Sequence, residues 1–474
     1  MPSFYVENFG CRATQADGAA IEHQFRHQGL DPAAAPSQAE IVVLNTCTVT
    51  ASADQDARAA IRRIRRENPG CQIVVTGCYA QRAPEEVASL PGVTRVVGNS
   101  HKHRLAEITL FPAENRSAGL GKSTNFVPAS ALGQPSMVND GIFVSDIFAH
   151  TELLAAPVFD AANERTRPNL KVQDGCDNRC SFCVIPSVRG HSRSSPLDRV
   201  LREVQLLVDS GYREVVISGI NLGRWGRDLV QVGQRPRFED LVRAILGQTS
   251  LEKLRISSVE PMDWSDELIA LMAGSPRIAK HAHVPMQSGS DRVLRAMHRK
   301  YRPWHYREKI EKIRRAMPTA AIGADVMTGF PGESDADFEE TRRMVEELPF
   351  IYLHVFTYSS RPGTPSATMP NQVPAQVARQ RNRILREIAA EKKLAFMQGF
   401  IGKALPAITL SAVHRTCQGD FTEALTDNYL KLRLAGRHEA NRWMLAQVEQ
   451  VIDGALVGVA GAGALNCQQS SLSA

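Results

Sequence analysis

The sequence predicts an α/β protein of about three domains, and the spacing of apolar residues is what predicts it. Residues 1–111 and 166–400 alternate short apolar runs with helical stretches, which is typical of βαβ units and parallel sheets. Residues 401–466 carry strand-like alternation without a convincing helix, which favours a small β-barrel. Residues 112–165 lack periodicity and are rich in Gly, Ser, Ala and Pro, so we expect a linker or an insertion there.

The N-terminal region is predicted to be a parallel α/β domain. Its clearest strands are Ile41–Leu44 and Ile73–Val75, and each of these apolar runs ends in a turn that carries a cysteine. Between them, Asp54–Asn68 has helical spacing and is stopped by Pro69 and Gly70. Strand, helix and strand in this order predict a βαβ unit.

The central region is predicted to be an open (β/α)6 barrel, because six apolar runs alternate with helical stretches such as Leu197–Asp209 and Asp335–Glu347. Ligands of such folds bind at the carboxyl ends of the strands, so the loops that follow these runs are the expected site. The candidate strands are Leu170–Val172, Glu214–Ser218, Lys253–Ser257, Ala282–Pro285, Ile322–Thr328 and Tyr352–Phe356.

The C-terminal region follows a long basic helix that we predict over Gln376–Phe396. Small β-barrels joined to enzymes commonly bind nucleic acids or protein partners. The strand-like runs are Ala407–Ser411, Tyr429–Leu434, Met444–Ile452 and Leu456–Ala460.

Composition narrows the class of protein. The chain has 474 residues, of which 43% are hydrophobic and 22% are charged, as expected for a globular protein of several domains. It has no run of about 18 or more apolar residues and no signal peptide, so we expect a cytoplasmic protein without a membrane span. In that compartment clustered cysteines more often bind metal than form disulfides. The net charge of +6 permits a polyanionic partner without establishing one.

The most specific motif is a group of cysteines with the spacing C-x3-C-x2-C at Cys176, Cys180 and Cys183. Three thiolates can hold three irons of a [4Fe–4S] cluster and leave the fourth iron open to chelate S-adenosylmethionine. The alternative is a zinc site, but zinc usually takes four ligands in paired motifs. No second pair follows, and His191 is poorly placed to be the fourth ligand.

Polar or small residues follow the predicted strands where S-adenosylmethionine would bind. Phe182 could shield the cluster and contact adenine, or it could only pack in the core. Gly219 and Asn221 follow a strand and would let the backbone approach the methionine moiety. Carboxylate, amide and hydroxyl groups after later strands suit the ribose and amino groups, although each could also be a turn residue. The candidate cofactor contacts are Phe182, Gly219, Asn221, Glu260, Gln287, Ser288 and Asp325.

A second set of cysteines, Cys11, Cys47 and Cys78, lies in turns of the N-terminal region. Loops at one edge of a sheet can converge although their residues are far apart in sequence. The residues alone leave two interpretations open, a second metal cluster or buried structural cysteines. The other cysteines, Cys71, Cys417 and Cys467, lie outside both sets.

Basic residues lie close in sequence to both cysteine sets. Arg58–Arg66 carries five arginines on a predicted helix, and Arg189, His191 and Arg193 follow the central cysteines. Such groups could steer phosphates towards the site, as in nucleic-acid binding. Charged helix faces are more often only solvated surface.

Taken together, the motifs resemble those of the radical S-adenosylmethionine methylthiotransferases. The resemblance covers nearly the whole chain except residues of about 112–165, and the C-terminal region resembles the family's TRAM domain, a small β-barrel associated with tRNA binding. The matching segments are Asn45–Thr50, Thr76–Gln81, Gln173–Gly190, Pro285–Ser290, Thr328–Glu333 and Tyr358–Thr364.

This resemblance implies a radical SAM barrel and two [4Fe–4S] clusters, the second held by Cys11, Cys47 and Cys78. It also implies that two molecules of S-adenosylmethionine are used in each turnover. One methylates a sulfur on the second cluster, and the other is reductively cleaved to a 5′-deoxyadenosyl radical that abstracts hydrogen from an unactivated C–H bond. An electron donor such as flavodoxin or ferredoxin would then be a partner.

Branches of this family differ in substrate. Asn45–Thr50, with Ile61-Arg62-Arg63 and Asn68-Pro69, is most similar to the branch that modifies threonylcarbamoyladenosine in the tRNA anticodon stem-loop. The alternatives are isopentenyladenosine in tRNA and an aspartate of a ribosomal protein. A non-catalytic iron–sulfur RNA-binding protein would not need the polar loops around Glu260, Gln287 and Asp325.

Overall fold

The computed structural model describes residues 2–110, 141–150, 153, 167–229, 235–416 and 419–464. The chain divides into two compact units. The first comprises Met1–Ala156, Gly175–Asp177 and Val184–His191, and the second comprises Pro157–Asp174, Asn178–Cys183 and Ser192–Ala474. Most of the expected linker, with Cys417 and Cys467, lies outside the described residues.

The first unit is an α/β domain. Its strands are β1 (Ser3–Asn8), β2 (Asp31–Pro32), β3 (Ile41–Thr46), β4 (Gln72–Gly77), β5 (Val93–Gly98) and β6 (Ile142–Phe143). Its helices are α1 (Arg12–His27), α2 (Ala51–Glu67), α3 (Cys78–Arg82), α4 (Pro84–Ala88), α5 (Leu105–Leu110) and α6 (Ile185–Arg189). The strands form one parallel sheet in the order β2-β1-β3-β4-β5-β6, so the predicted βαβ unit is confirmed. Strand β6 lies within the stretch that was expected to be a linker.

Alternate residues of the central strands cover both faces of this sheet. Val42 packs in the apolar core that contains Ile61 of α2, whereas Val43 packs in the core that contains Phe25 of α1. Successive side chains of a strand point to opposite faces, so an uninterrupted apolar run is needed where both faces are buried. Because β1, β3 and β4 are parallel neighbours, their carboxyl ends lie at one edge of the sheet.

The second unit contains the predicted open barrel. Its strands are β7 (Asn169–Asp174), β8 (Arg193–Ser194), β9 (Glu214–Gly219), β10 (Lys253–Ile256), β11 (His281–His283), β12 (Ala321–Thr328) and β13 (Tyr352–Thr357). Its helices are α7 (Leu197–Asp209), α8 (Phe238–Gln248), α9 (Asp266–Gly274), α10 (Asp291–Ala296), α11 (Pro303–Ala316), α12 (Asp335–Glu347) and α13 (Ala375–Gln398). All six strands predicted for this region are confirmed, and α7 and α12 begin and end at the predicted residues.

Two sheets make up the barrel wall. One has the order β10-β9-β7-β8, with β8 antiparallel, and the other is the parallel set β11-β12-β13. Isolated bridges from Leu254 to Ile278 and from Ser258 to His283 join them. Ile322, Ala324 and Val326 of β12 pack in the apolar core with residues of the helices. The residues between them, Gly323 and Asp325, therefore face the barrel interior.

The C-terminal residues form a closed five-stranded barrel in the order β14-β15-β16-β18-β17. Its strands are β14 (Ala404–Thr416), β15 (Gly419–Thr426), β16 (Lys431–Ala435), β17 (Trp443–Ile452) and β18 (Ala455–Ala464). The sequence did not predict β15, because two of its four buried residues are Thr422 and Thr426 and the other two, Ala424 and Leu425, are adjacent, so no apolar alternation results. Strand β16 begins two residues later than predicted, since Tyr429 has a left-handed φ of 68° in the turn.

Candidate functional site

The structure brings the three N-terminal cysteines to one edge of the first unit's sheet. Cys11 is the N-cap residue of α1, just after β1. Cys47 directly follows β3, and Cys78 is the first residue of α3, directly after β4. These three strands are neighbours in the sheet, which confirms that the loops converge.

Two glycines make this convergence possible. A Cβ on Gly10 would lie 2.7 Å from Cys47 Cβ and 3.0 Å from Cys47 Sγ, so the loop of Cys11 rests directly against Cys47. Gly77 has a φ of 98°, and a Cβ there would lie 2.3 Å from the carbonyl oxygen of Thr46. Only glycine tolerates both the conformation and the close approach.

Burial and the neighbouring thiols both oppose ionisation of Cys47 in the N-terminal set. Burial, together with the charges of Cys78 and Cys11, raises the pKa of Cys47 to about 12. A cation bound among these sulfurs would remove that penalty, because a coordinating thiol is deprotonated by its metal. The donor set of three free thiols therefore fits an iron–sulfur cluster.

A buried ion network lies beneath these loops. Asp17 of α1 accepts hydrogen bonds from Lys102 Nζ at 3.0 Å and from Arg189 Nη2 at 3.1 Å. Lys102 also donates to Asn45 Oδ1 at 3.2 Å, which ties the network to the end of β3. Arg189 is only 2% exposed, so the expectation that it belongs to a phosphate-steering surface is wrong. The sequence could not show this, because the buried carboxylate that neutralises Arg189 is far away along the chain.

The central cysteines lie in the loop after β7, as predicted. Gly175 begins that loop with a φ of 72°, and a Cβ there would lie 1.9 Å from the carbonyl oxygen of His191. The amide of Cys176 donates to the carbonyl of Gly190 at 3.1 Å. Cys180 and Cys183 share a tight turn in which the Cys183 amide donates to the Cys180 carbonyl at 3.1 Å. All three cysteines are partly exposed, which suits ligands that must admit a cluster and a cofactor.

Arg299 is a functional candidate that the sequence did not single out. Its Nη1 donates to Cys180 Sγ at 3.2 Å, and its Nη2 forms an ion pair with Glu260. Burial alone would lower the pKa of Arg299, but the charges of Tyr301, Glu260 and Cys180 keep that pKa well above its ordinary value. A permanent cation therefore lies beside a predicted cluster ligand. The only signal in the sequence is that Arg299 belongs to a basic run, which is usually surface.

Glu260 and Cys180 line one small cleft with Arg299 and Tyr301. This places the predicted cofactor residue Glu260 close to the predicted cluster ligand. The Glu260 carboxylate forms an ion pair with Arg299 in this structure. If Glu260 contacts the nucleoside of the cofactor, its carboxylate would bind Arg299 and the nucleoside together.

The loop after β9 is shaped by Gln173. A Cβ on Gly219 would lie 2.8 Å from Gln173 Oε1, and the amide of Asn221 donates to the same oxygen at 2.7 Å. Gly219 therefore has to be small because a larger side chain would collide with Gln173. Whether Gly219 and Asn221 also contact a cofactor stays a prediction.

One residue in the loop after β11 has an unusual backbone conformation. Gln287 is buried and has a left-handed φ of 63°, which is uncommon for a residue other than glycine. Among the described residues, Gln287 Oε1 has no hydrogen-bond partner, so it can accept one from a ligand. Ser288 instead holds the turn, since its hydroxyl accepts from the amide of Ser290 at 3.1 Å.

The two remaining predicted contacts have protein partners. Phe182 packs in an apolar cluster with Val293 and Phe330, as in the core-packing alternative. Asp325 faces His283 and His354. Burial alone would raise the pKa of its carboxyl, but the two imidazoles hold that pKa well below the usual range. The sequence did not single out either histidine.

The barrel and its cysteine loop define a class of protein, the radical S-adenosylmethionine enzymes, which bind a [4Fe–4S] cluster and S-adenosylmethionine. The family described as the radical SAM superfamily matches residues 170–345, and the one described as uncharacterized protein family UPF0004 matches residues 3–98. A solved radical S-adenosylmethionine methyltransferase, TsrM from Kitasatospora setae, has a similar fold with a TM-score of 0.52 and 15% identity, covering 77% of each chain.

Curated relatives narrow the class further. The chain is 34% identical to the threonylcarbamoyladenosine tRNA methylthiotransferase MtaB of Bacillus subtilis, over 93% of this chain and 92% of that protein. It is also 34% identical to MtaB of Aquifex aeolicus, over 92% and 97% of the two chains. A tRNA-2-methylthio-N(6)-dimethylallyladenosine synthase of Novosphingobium aromaticivorans is 34% identical over 85% of each chain. The chain therefore belongs to the radical SAM methylthiotransferase family.

No helix of the described residues is both long and apolar enough to cross a membrane.

Proposed function

We propose that this enzyme converts threonylcarbamoyladenosine beside the anticodon of tRNA to its 2-methylthio derivative. The observation that carries the proposal is similarity over more than nine-tenths of the chain to relatives named for that reaction. Each part of the fold has a place in this reaction. The six-stranded sheet carries three cysteines at one edge, and the open barrel carries the predicted cofactor site. The closed C-terminal barrel is a candidate RNA-binding module.

In this proposal Cys176, Cys180 and Cys183 hold the cluster that binds S-adenosylmethionine. When bound, that cluster supplies the electron that cleaves S-adenosylmethionine to a radical able to remove hydrogen from an unactivated C–H bond. The protein contributes position and charge. Arg299 donates a hydrogen bond to Cys180 Sγ and so orients that sulfur, and the Gln287 side chain offers a buried acceptor to the cofactor.

A second cluster is proposed at Cys11, Cys47 and Cys78, where it would hold the sulfur that is methylated and transferred. The support is the convergence of three free thiols on one sheet edge, with Gly10 and Gly77 allowing the close approach. Asn99 donates to Cys78 Sγ at 3.6 Å and to the Val188 carbonyl at 2.7 Å, which orients one thiol. A reductant such as flavodoxin or ferredoxin is the proposed electron donor.

A second candidate substrate is dimethylallyladenosine (the isopentenyl derivative), because a relative named for that reaction is equally identical over a shorter part of the chain. The two substrates share the adenine ring and differ in the group on its N6 atom. The chemistry at the cysteines would be the same for both.

The test is nucleoside mass spectrometry of tRNA from cells with and without the gene. Loss of 2-methylthio-threonylcarbamoyladenosine, with accumulation of its precursor, is the expected result. Loss of the dimethylallyl counterpart instead would keep the reaction and reassign the substrate. An unchanged tRNA profile would overturn tRNA as the substrate and direct the search to the ribosomal-protein aspartate.

Complementation with variants adds a matched control. Cys47→Ala should fail to restore the modified nucleoside, whereas Cys71→Ala should restore it, because Cys71 lies in the apolar core of the first unit away from the strand-end loops. Equal failure of both variants would point to misfolding rather than to a lost cluster ligand.

A further inference from the structure

Three potential metal ligands face one another on adjacent strands of the second unit. His283 ends β11, Asp325 lies in β12, and His354 lies in β13. Asp325 and His354 are direct partners in the parallel pairing of β12 with β13, and His283 pairs with Gly323, two residues before Asp325. Residues two apart on a strand share a face, so all three side chains point into the barrel interior.

Their ligand atoms have the spacing of a metal site. His283 Nε2 lies 3.3 Å and His354 Nδ1 lies 3.2 Å from Asp325 Oδ1, and the three atoms lie within 4.8 Å of one another. With metal–ligand bonds of about 2.0–2.1 Å, ligand atoms around a tetrahedral ion are roughly 3.3 Å apart. Little movement is needed for one ion to contact all three.

Hydrogen bonding within the protein does not fully explain this arrangement. His283 is only 8% exposed. Among the described residues its Nε2 has no hydrogen-bond partner, although it lies 3.3 Å from Asp325 Oδ1. A buried polar atom without a partner is costly, and a bound ion would satisfy it. The same carboxylate oxygen faces both imidazoles, which is the geometry of a shared centre rather than of two separate pairs.

An entry path is present. His354 lies in the wall of a cavity of about 660 Å³, together with Tyr352 and Tyr429, and 65% of its side chain is exposed. An ion could therefore reach the site, and a site with three protein ligands keeps at least one position open. That position would accept an oxygen or nitrogen donor from a molecule in the cavity.

We propose that His283, Asp325 and His354 bind one divalent transition-metal ion, such as Zn²⁺ or Fe²⁺, in the barrel interior. Two imidazoles and one carboxylate are a ligand set that such ions accept, and the set includes none of the cysteines. The proposal gives Asp325 a different role from the nucleoside contact predicted from the sequence. It does not depend on which nucleoside the enzyme modifies.

The test is a zinc titration of the enzyme with its iron–sulfur clusters in place. Free ion is removed by gel filtration, and zinc per chain is measured by mass spectrometry of the elements. The wild type should retain one more zinc per chain than His354→Ala or Asp325→Asn. Zinc bound adventitiously at cysteines would be equal in all three proteins and would cancel in the difference.

His414→Ala is the matched control. His414 Nε2 lies 3.2 Å from Glu423 Oε1, so it is also a histidine paired with a carboxylate, but no third ligand joins this pair among the described residues. This variant should retain as much zinc as the wild type. Equal zinc in the wild type, His354→Ala and Asp325→Asn would overturn the proposal and leave only an ion-pair network.

A second measurement needs no variant and so does not depend on how variants fold. Zinc should protect His354 of the wild type from modification by diethyl pyrocarbonate, as read by peptide mass spectrometry, and should leave the exposed His414 reactive. Equal reactivity of His354 with and without zinc would contradict the proposal.

Discussion

The two cysteine sites of this enzyme are assembled in opposite ways. The central set lies within one loop after β7, where spacing in the sequence alone brings the thiols together. The N-terminal set is drawn from loops after three different strands, and only the order of β1, β3 and β4 in the sheet unites them. The central thiols are all partly exposed, whereas Cys47 and Cys78 are buried. A local motif tolerates change in the surrounding fold, but a site built by a sheet depends on every contact that sets the approach of its loops.

Cys180→Ala should have the largest effect and should break the central site alone. It removes a predicted cluster ligand and the sulfur that accepts from Arg299. We expect 5′-deoxyadenosine formation from S-adenosylmethionine to fall to background, measured by liquid chromatography under reducing conditions. Cleavage at the wild-type rate would refute the ligand assignment, and Cys71→Ala serves as the control for cysteine removal.

Cys47→Ala should distinguish the role of the N-terminal cysteines from that of the central cysteines. Cleavage of S-adenosylmethionine should continue, because the central loop is intact, but no methylthio group should appear in tRNA. The measurement pairs 5′-deoxyadenosine with modified nucleoside in the same reaction. Normal methylthiolation by this variant would remove the N-terminal cysteines from the mechanism.

Gly10→Ala should weaken the N-terminal site without touching a thiol. The new Cβ would lie 2.7 Å from Cys47 Cβ, and overpacking of this kind typically costs about 1–3 kcal/mol. We expect the iron content of the reconstituted protein to fall towards half, measured against protein concentration. Gly29→Ala is the control, since Gly29 also has a positive φ but has nothing within 4 Å of the added Cβ. Equal iron loss in both variants would show that backbone conformation, not the contact with Cys47, is responsible.

The smallest expected effect is on how the free energy of unfolding of the cluster-free protein depends on pH. Burial and the neighbouring thiols raise the pKa of Cys47 from 9.0 to about 12 in the folded state. Between these values the folded state keeps a proton that the unfolded state loses, so the free energy of unfolding falls as pH rises through this window. The slope contributed by one such group is at most about 1.4 kcal/mol per pH unit.

Cys47→Ser tests that assignment, because its hydroxyl does not titrate in this window. Urea unfolding should give a shallower loss of stability between pH 9.0 and about 12 for the variant than for the wild type. Identical slopes would show that another group accounts for the pH dependence.

The sequence by itself determined the class of fold and the central site. Uninterrupted apolar runs such as Ile41–Leu44 and Ile73–Val75 indicate strands buried on both faces, and Cys176, Cys180 and Cys183 share one loop because they are close in the chain. The sequence also placed Cys11, Cys47 and Cys78 in turns, but the residues alone left both a second cluster and buried structural cysteines open. Strand β15 was missed because two of its four buried residues are threonines and the two apolar ones are adjacent.

Only the tertiary structure decided which distant residues meet. It placed Arg299 against Cys180 and Glu260, buried Arg189 on Asp17, and brought His283, Asp325 and His354 to one point in the barrel. None of these pairings has a signature in the sequence, because strand order and the direction of each side chain set the distance between residues on different elements. Periodicity shows which face of an element is apolar, and the polar groups on its other face acquire a chemical role only when the sheet defines their neighbours.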